Sequence, residues 1–199
     1  PTEKSLQLLS LHLQRAGESI PLSFQFSAGK HDQNFPQPIV SVWERLANEV
    51  VRWDRITIQG TSTFLEKFTL DIRGRFHKLT EVTLRLVHPD IDHIPLNPRP
   101  TNIPWFADAP NLRHFNVYIP VAMEWNAPRH ASMASLAVSL PWAGLESYKC
   151  HCNAEDGLFA LLNLAKQKLI ALRRLDYRVA LFPLFSSSFN PVTIHSLET

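Results

Sequence analysis

A short pattern, two apolar residues separated by one polar residue, recurs six times along this chain of 199 residues. Its occurrences are 26 to 33 residues apart and begin at Phe24, Ile56, Val82, Phe115, Tyr148 and Leu175. Self-similarity at a period of about 20–50 residues is the signature of a repeat architecture, in which each repeat is one supersecondary unit stacked on the next. No other feature of the sequence constrains the fold as strongly.

Each occurrence has the alternation of a β-strand, in which successive side chains point to opposite faces. Strands are predicted near 22-27, 55-59, 80-87, 113-119, 146-152 and 173-180. The two apolar positions of each strand face inward, and Tyr118 is the only aromatic residue among the flanking outward positions. A leucine stands three positions before the first inward residue in four repeats, at Leu79, Leu112, Leu145 and Leu172, and Trp53 has this place in the second repeat.

Segments between the strands have the spacing of amphipathic helices. Helices are predicted over 5–16 (ended by Gly17), 39–52 (after Pro38), 63–72 and 154–168. Alternating helices and strands predict an α/β fold with a parallel sheet. Repetition at about 30 residues makes this a single solenoid domain over 1-199, with parallel strands on its concave face and helices and irregular loops on its convex face.

Residues 88-110 hold six of the fifteen prolines in the chain. Because proline lacks the N–H group that helices and central strands need, an extended loop along the outside of the domain is predicted here. A second loop is predicted over 182–191, before one more strand at 192–197.

The strands that follow Leu79, Leu112 and Leu172 have the LxxLxL signature of leucine-rich repeats. The whole chain resembles the repeat region behind the F-box in F-box proteins of mushroom-forming (basidiomycete) fungi. The phrases that carry this resemblance are Leu6-Gln-Leu-Leu-Ser-Leu-His-Leu-Gln-Arg-Ala-Gly, Pro21-Leu-Ser-Phe, Arg52-Trp53, Ala109-Pro-Asn-Leu-Arg and Leu140-Pro-Trp-Ala-Gly-Leu. The repeats are longer than the about 20–29 residues of ordinary leucine-rich repeats, and the usual Asn or Cys after the strand is mostly absent.

The resemblance implies the substrate-recognition part of an F-box subunit of a cullin-type ubiquitin ligase. The Skp adaptor and the cullin would bind through an F-box upstream of Pro1, since these 199 residues show no F-box pattern. Because the chain begins with Pro1 and not with Met, we expect it to be a piece of a longer protein. The alternative is a leucine-rich-repeat scaffold, or binding module, that acts independently of ubiquitin.

Composition and motifs argue against other classes of function. A hydrophobic fraction of 45% excludes a disordered chain, and a net charge of +2 from dispersed residues disfavours a nucleic-acid partner. No apolar stretch approaches the ~20 residues of a membrane span. Nucleotide loops and the nucleophile elbow GxSxG are absent from the sequence, so we expect neither an enzyme nor a cofactor. Closely spaced cysteines and the lack of a glycosylation sequon favour the cytoplasm or the nucleus.

Two segments contain residue types that bind metals. The proline-rich loop contains His88, Asp90, Asp92 and His93 close together. These residues either form a metal site or belong to a solvated polar loop. A metal site here would be the basis of a weaker hypothesis, that of a metal-dependent enzyme. Cys150, His151 and Cys152 suggest zinc, but alternation places His151 on the face opposite the cysteines. We therefore predict no metal site.

The outward side chains of the strands form the predicted binding surface on the concave face. Tyrosine and arginine are the residue types that most often dominate binding energy, and the alternative is an ordinary solvated sheet face. The predicted binding residues are Arg85, Asn116, Tyr118, Lys149, His151, Asp176 and Arg178. Trp105, Trp125 and Trp142 lie between strands, where we predict core packing in preference to an exposed anchor for a partner.

Overall fold

The computed structural model describes residues 3–29, 35–67, 72, 75–87, 102–103, 105–118, 137–138, 140–153, 172–180 and 192–193. The helices are α1 (Glu3–Ala16), α2 (Gln37–Ala47) and α3 (Ser62–Lys67), with 3-10 helices at Val50–Arg52, Trp105–Asp108 and Trp142–Gly144. The strands are β1 (Leu22–Ser27), β2 (Trp53–Gly60), β3 (Glu81–Leu86), β4 (Asn102–Ile103), β5 (His114–Tyr118), β6 (Ala137–Val138), β7 (Ser147–Asn153), β8 (Arg174–Ala180) and β9 (Val192–Thr193). Within these ranges no helix is long and apolar enough to cross a membrane.

The main sheet contains seven strands in the order β1-β2-β3-β5-β7-β8-β9. All neighbouring pairs from β1 to β8 are parallel, whereas β9 is antiparallel to β8. Strands β4 and β6 form a separate parallel pair. The order of strands in the main sheet is thus their order along the chain, without a reversal, and the predicted α/β class with a parallel sheet is confirmed.

The six parallel strands lie at the six segments of the sequence repeat. Strand β1 has the predicted bounds, and the other five differ from them by one or two residues at an end. Strand β9 covers the first two residues of the strand predicted at 192–197, and the remainder of that segment lies outside the described residues.

The inward positions of the repeat form the core beneath the sheet. Phe24 and Leu175 are partly buried against this core, and the Tyr177 side chain lies outside the part of the chain that is described. The other nine inward side chains are buried: Phe26, Ile56, Ile58, Val82, Leu84, Phe115, Val117, Tyr148 and Cys150. The predicted alternation is therefore confirmed for eleven of the twelve positions.

The residue three positions before the first inward residue is buried or packed against the core in the repeats of β2, β3, β5, β7 and β8. Trp53, Leu79, Leu112 and Leu145 are fully buried, and Leu172 is packed against the core. The residue that follows donates its backbone N–H to the equivalent carbonyl of the preceding repeat: Thr80 to Asp54 (2.8 Å), Arg113 to Thr80 (2.9 Å), Glu146 to Arg113 (2.8 Å) and Arg173 to Glu146 (2.9 Å). Successive repeats are thus hydrogen-bonded to each other at the residue that precedes each of these strands.

A continuous chain of aromatic rings crosses the core from one repeat to the next. The ring centroids are separated by 5.7 Å for Trp43–Trp53, 5.8 Å for Trp53–Phe76, 5.4 Å for Phe76–Phe106, 5.9 Å for Phe106–Phe115 and 6.0 Å for Phe115–Tyr148. Pairs at such distances add about 0.5–1.5 kcal/mol each beyond the free energy of area burial. The Trp53 indole Nε1 donates to the Leu46 carbonyl at 3.0 Å, which satisfies its buried N–H. We call these six rings the aromatic chain.

The proline-rich segment departs from the prediction. An extended loop along the outside was expected over 88-110, but Trp105–Asp108 form a 3-10 helix in which Trp105 and Phe106 are almost fully buried. Burying two large aromatic side chains outweighs the local preference for an extended chain. Residues 88–101 and 104 lie outside the described residues. Core packing is confirmed for Trp105 and for the partly buried Trp142, and Trp125 is not described.

The helix expected over 39–52 is interrupted. It ends at Ala47, and a separate 3-10 turn follows at Val50–Arg52. The buried Arg52 explains this turn, because its Nε donates to the Ile20 carbonyl at 3.0 Å and its Nη1 to Glu49 Oε2 at 2.9 Å. Helix α1 ends as predicted, at Gly17 with a positive φ of 66°, whereas the segment 154–168 lies outside the described residues.

Adjacent substitutions on β2 test the direction in which the strand faces. Ile58 is fully buried and Gln59 is partly exposed on the other side. We expect Ile58→Glu to lower the free energy of unfolding by at least about 4 kcal/mol, because it buries a carboxylate among apolar side chains. Gln59→Glu should change it by less than about 0.5 kcal/mol. Urea unfolding monitored by tryptophan fluorescence measures both, and similar losses for the two variants would contradict this orientation of the strand.

Candidate binding surface

The side of the sheet opposite the aromatic chain is lined by polar residues, and we call it the polar face. Its members are Ser23, Gln25, Ser27, Arg55, Thr57, Gln59, Glu81, Thr83, Arg85, His114, Asn116, Tyr118, Ser147, Lys149, His151, Arg174, Asp176 and Arg178. Among the seventeen whose side chains are described, only Ser147 is buried. Parallel sheets are usually covered on both faces, whereas the described residues cover only one face of this sheet.

Parallel register arranges the seven predicted binding residues in two rows across β3, β5, β7 and β8. Residues that pair between neighbouring strands share a row, since no register shift separates them. The first, which we call the cationic row, consists of Arg85, Tyr118, His151 and Arg178. The second, which we call the central row, consists of Thr83, Asn116, Lys149 and Asp176. The structure thus brings the seven residues together on one surface, and their role in binding stays a prediction.

Three side chains of the cationic row are in contact. The guanidinium carbon of Arg85 lies 5.4 Å from the centre of the Tyr118 ring, within the range of a cation–π interaction. The Tyr118 and His151 rings follow at 4.6 Å between centroids, with 45° between their planes. Arg85 is exposed and both rings are partly exposed. Arg178 is the register partner of His151, and its side chain lies outside the described part of the chain.

Hydrogen bonds hold the central row in place at Asn116. Its Nδ2 donates to Thr83 Oγ1 at 3.1 Å and, over a longer distance of 3.4 Å, to Glu81 Oε1. These bonds connect β5 to β3 and orient the amide on the polar face. Thr83 and Glu81, which accept these hydrogen bonds from Asn116, are absent from the predicted binding set. Strand alternation alone identifies them as outward, but only the register shows that Thr83 pairs with Asn116.

A shallow depression extends the polar face toward β1. It has a volume of about 350 Å³ and is lined by Ser23, Phe24, Gln25, Arg55, Ile56, Thr57, Glu81 and Thr83. None of these residues belongs to the predicted binding set. Arg55 is 68% exposed there, and its Nε lies 3.8 Å from Asp54 Oδ2. The depression shares Glu81 and Thr83 with the hydrogen bonds of Asn116, so it adjoins the central row.

The two candidate metal segments have different outcomes. The segment from His88 to His93 lies outside the described residues. Cys150 is buried on the inward side and His151 lies on the polar face, so the sheet separates them as alternation predicts. Within the described ranges, no group of three or more His, Cys, Asp or Glu side chains could hold a metal ion.

No protein-family model, curated protein or solved structure matches the chain.

The contact between Arg85 and Tyr118 predicts a measurable coupling. A double-mutant cycle combining Arg85→Ala with Tyr118→Ala should give a coupling free energy of about 0.5–1 kcal/mol for folding, the size of an exposed cation–π pair. A matched cycle combining Arg55→Ala with Tyr118→Ala should give none, because Arg55 stands two strands away in another row. Urea unfolding of the variants supplies both values. Equal coupling in the two cycles would show that Arg85 and Tyr118 do not interact.

Proposed function

We propose that the chain is a leucine-rich-repeat-like solenoid whose parallel strands form a concave face for binding another protein. The strand order supports this proposal, because each parallel strand is added to the same edge of the sheet as its predecessor. A doubly wound fold instead reverses its strand order and covers both faces with helices. The equivalent backbone bonds at the strand entries, one per repeat, also support a stacked array.

The observation that carries the binding function is that the described residues leave the polar face uncovered. Its backbone groups are already paired in the sheet, so a partner does not have to order them on binding. Six strands at about 4.8 Å spacing make the face about 24 Å wide, which suits a protein segment better than a small molecule. Small-molecule sites are instead lined mostly by apolar side chains, unlike this polar surface.

We further propose that this solenoid is the substrate-recognition part of an F-box subunit of a cullin-type ubiquitin ligase. The resemblance of several phrases of the sequence to those of fungal F-box proteins supports this part of the proposal. The F-box, lying outside the chain, binds the Skp adaptor and the cullin, and the polar face holds the protein to be modified. The solenoid requires neither a catalytic residue nor a cofactor, since it acts by holding a substrate lysine close to the conjugating enzyme. This activity belongs to the cytoplasm or the nucleus.

Affinity purification of the full-length protein, followed by mass spectrometry, tests both parts of the proposal. We expect the Skp adaptor and a cullin to be recovered together with a set of further proteins. Tyr118→Ala combined with Lys149→Ala should reduce the recovery of that set at least about tenfold, as expected for the loss of about 1.4 kcal/mol of binding energy. Recovery of the Skp adaptor should not change, because its binding site is the F-box.

The matched control is Leu11→Ala combined with Lys4→Ala, which removes one large side chain and one lysine from exposed positions of α1. This variant should recover the same proteins as the wild type. Loss of the Skp adaptor and the cullin from the wild-type purification would contradict the F-box assignment and leave the ubiquitin-independent binding module. Recovery of all further proteins with the polar-face variant would contradict the binding function of this face.

A further inference from the structure

Strand β1 lies at one edge of the main sheet, and among the described residues it pairs only with β2. At the other end of the parallel array, β8 pairs on its outer side with β9. An edge strand presents a row of N–H and C=O groups that can pair with a strand of another chain. Proteins usually protect such an edge with charged side chains, proline, a bulge or a covering segment.

Residues 23–27 of β1 lack charge, proline and bulge alike. Pro21 and a register irregularity between Leu22 and Ser23 affect only the start of the strand. The outward side chains, two serines and Gln25, are exposed and uncharged. Strand β1 is the only one of the six parallel strands without an ionisable side chain on the polar face. The other five strands carry, in chain order, Arg55, Glu81, His114, Lys149 and Asp176 among others.

The core is also incomplete at β1. Phe24 is only partly buried, although its ring packs against Trp53 with 5.2 Å between centroids. Ile20, two residues before the strand, is 53% exposed. The counterparts of Phe24 in the next four repeats are at most 7% exposed: Ile56, Val82, Phe115 and Tyr148. Within the described part of the chain, apolar surface and an unpaired strand edge thus occur at the same end of the array.

We infer that β1 pairs with the β1 strand of a second copy of this chain, antiparallel across a two-fold axis. A two-fold contact opposes each residue near the axis to its own copy, and like charges directly opposite each other destabilise a strand pair. An edge strand without charge is therefore what this pairing requires. Complementary charges select a different partner, and β1 offers none. The inference is independent of what the polar face binds.

Strand alternation determines how the two copies align. Directly opposite residues of an antiparallel pair point to the same face of the sheet, so apolar side chains have to meet apolar ones. With Gln25 on the axis, Phe24 lies opposite the second copy's Phe26, and residues 23–27 are all paired without the irregular Leu22. The two Gln25 amides can then donate to and accept from each other. Both polar faces lie on the same side of one continuous sheet, so the dimer presents this face twice.

A charge at position 25 of the full-length protein tests this pairing. Gln25→Lys opposes two lysines across the axis, and the exposed position allows each chain to keep its fold. In analytical ultracentrifugation we expect the wild type to sediment as a dimer and the dissociation constant of Gln25→Lys to be at least about tenfold higher. Gln25→Glu should have the same effect. An equimolar mixture of the two variants should restore the dimer, because each lysine then faces a glutamate.

The matched control is Gln59→Lys, which makes the same change on β2, a strand that is paired on both sides. Its dissociation constant should stay within about twofold of the wild-type value, and circular dichroism checks that all variants are folded. A monomeric wild type, a dimer that survives Gln25→Lys, or a mixture of the two charged variants that remains monomeric would overturn the inference.

Hydrogen exchange measured by mass spectrometry distinguishes a second copy from any other occupant of this edge. Amides of β1 that point away from β2 have a partner only in the dimer, so residues 23–27 should exchange faster in Gln25→Lys than in the wild type. Exchange in β2 should be the same in both proteins. Equal protection of residues 23–27 in the two proteins would show that another segment covers the edge, and would overturn the inference.

Discussion

In-register parallel pairing of six strands is the constraint on which the rest of this structure depends. Because the side-chain period of a strand is two, a slip of one residue would exchange the buried and open sides of a whole strand. The backbone bonds at Asp54, Thr80, Arg113 and Glu146 join neighbouring repeats at the strand entries in the same register as the strand pairing. Every inward residue then lies beside another inward residue, which allows the aromatic chain to continue from repeat to repeat. Large buried rings in turn make an alternative register costly.

The same pairing organises the functional surface. Polar residues that stand 26 to 33 positions apart in the chain become neighbours in rows, as Asn116 and Thr83 do through their 3.1 Å hydrogen bond. The described connecting segments that contribute to the aromatic chain pack on its side of the sheet, and the described residues leave the polar face uncovered. A stable inner side and an accessible outer side are thus two consequences of one alternating pattern, and the binding proposals depend on the second.

Most of the sheet could be predicted from the sequence, because alternation marks every strand directly and a leucine at a fixed offset marks four of the six. Core packing of Trp105 could be predicted from the sequence, whereas the local pattern could not show that Phe106 enters the core beside it, since Phe106 packs against Phe76 and Phe115. For a similar reason, the sequence did not show that Glu81 and Thr83 contact Asn116. Alternation gives the face of a residue, whereas its neighbours on that face depend on the register between strands distant in the chain.

Thiol labelling of adjacent positions on β2 measures most directly whether the sheet has one open and one covered face. Thr57→Cys and Ile58→Cys are compared in the full-length protein, and mass spectrometry of the labelled peptide separates each new thiol from Cys150 and Cys152. We expect the thiol at position 57 to react nearly as fast in the folded protein as in urea, and the thiol at position 58 to react only through opening of the structure. Strong protection at both positions would show that another layer covers the polar face and would contradict the account.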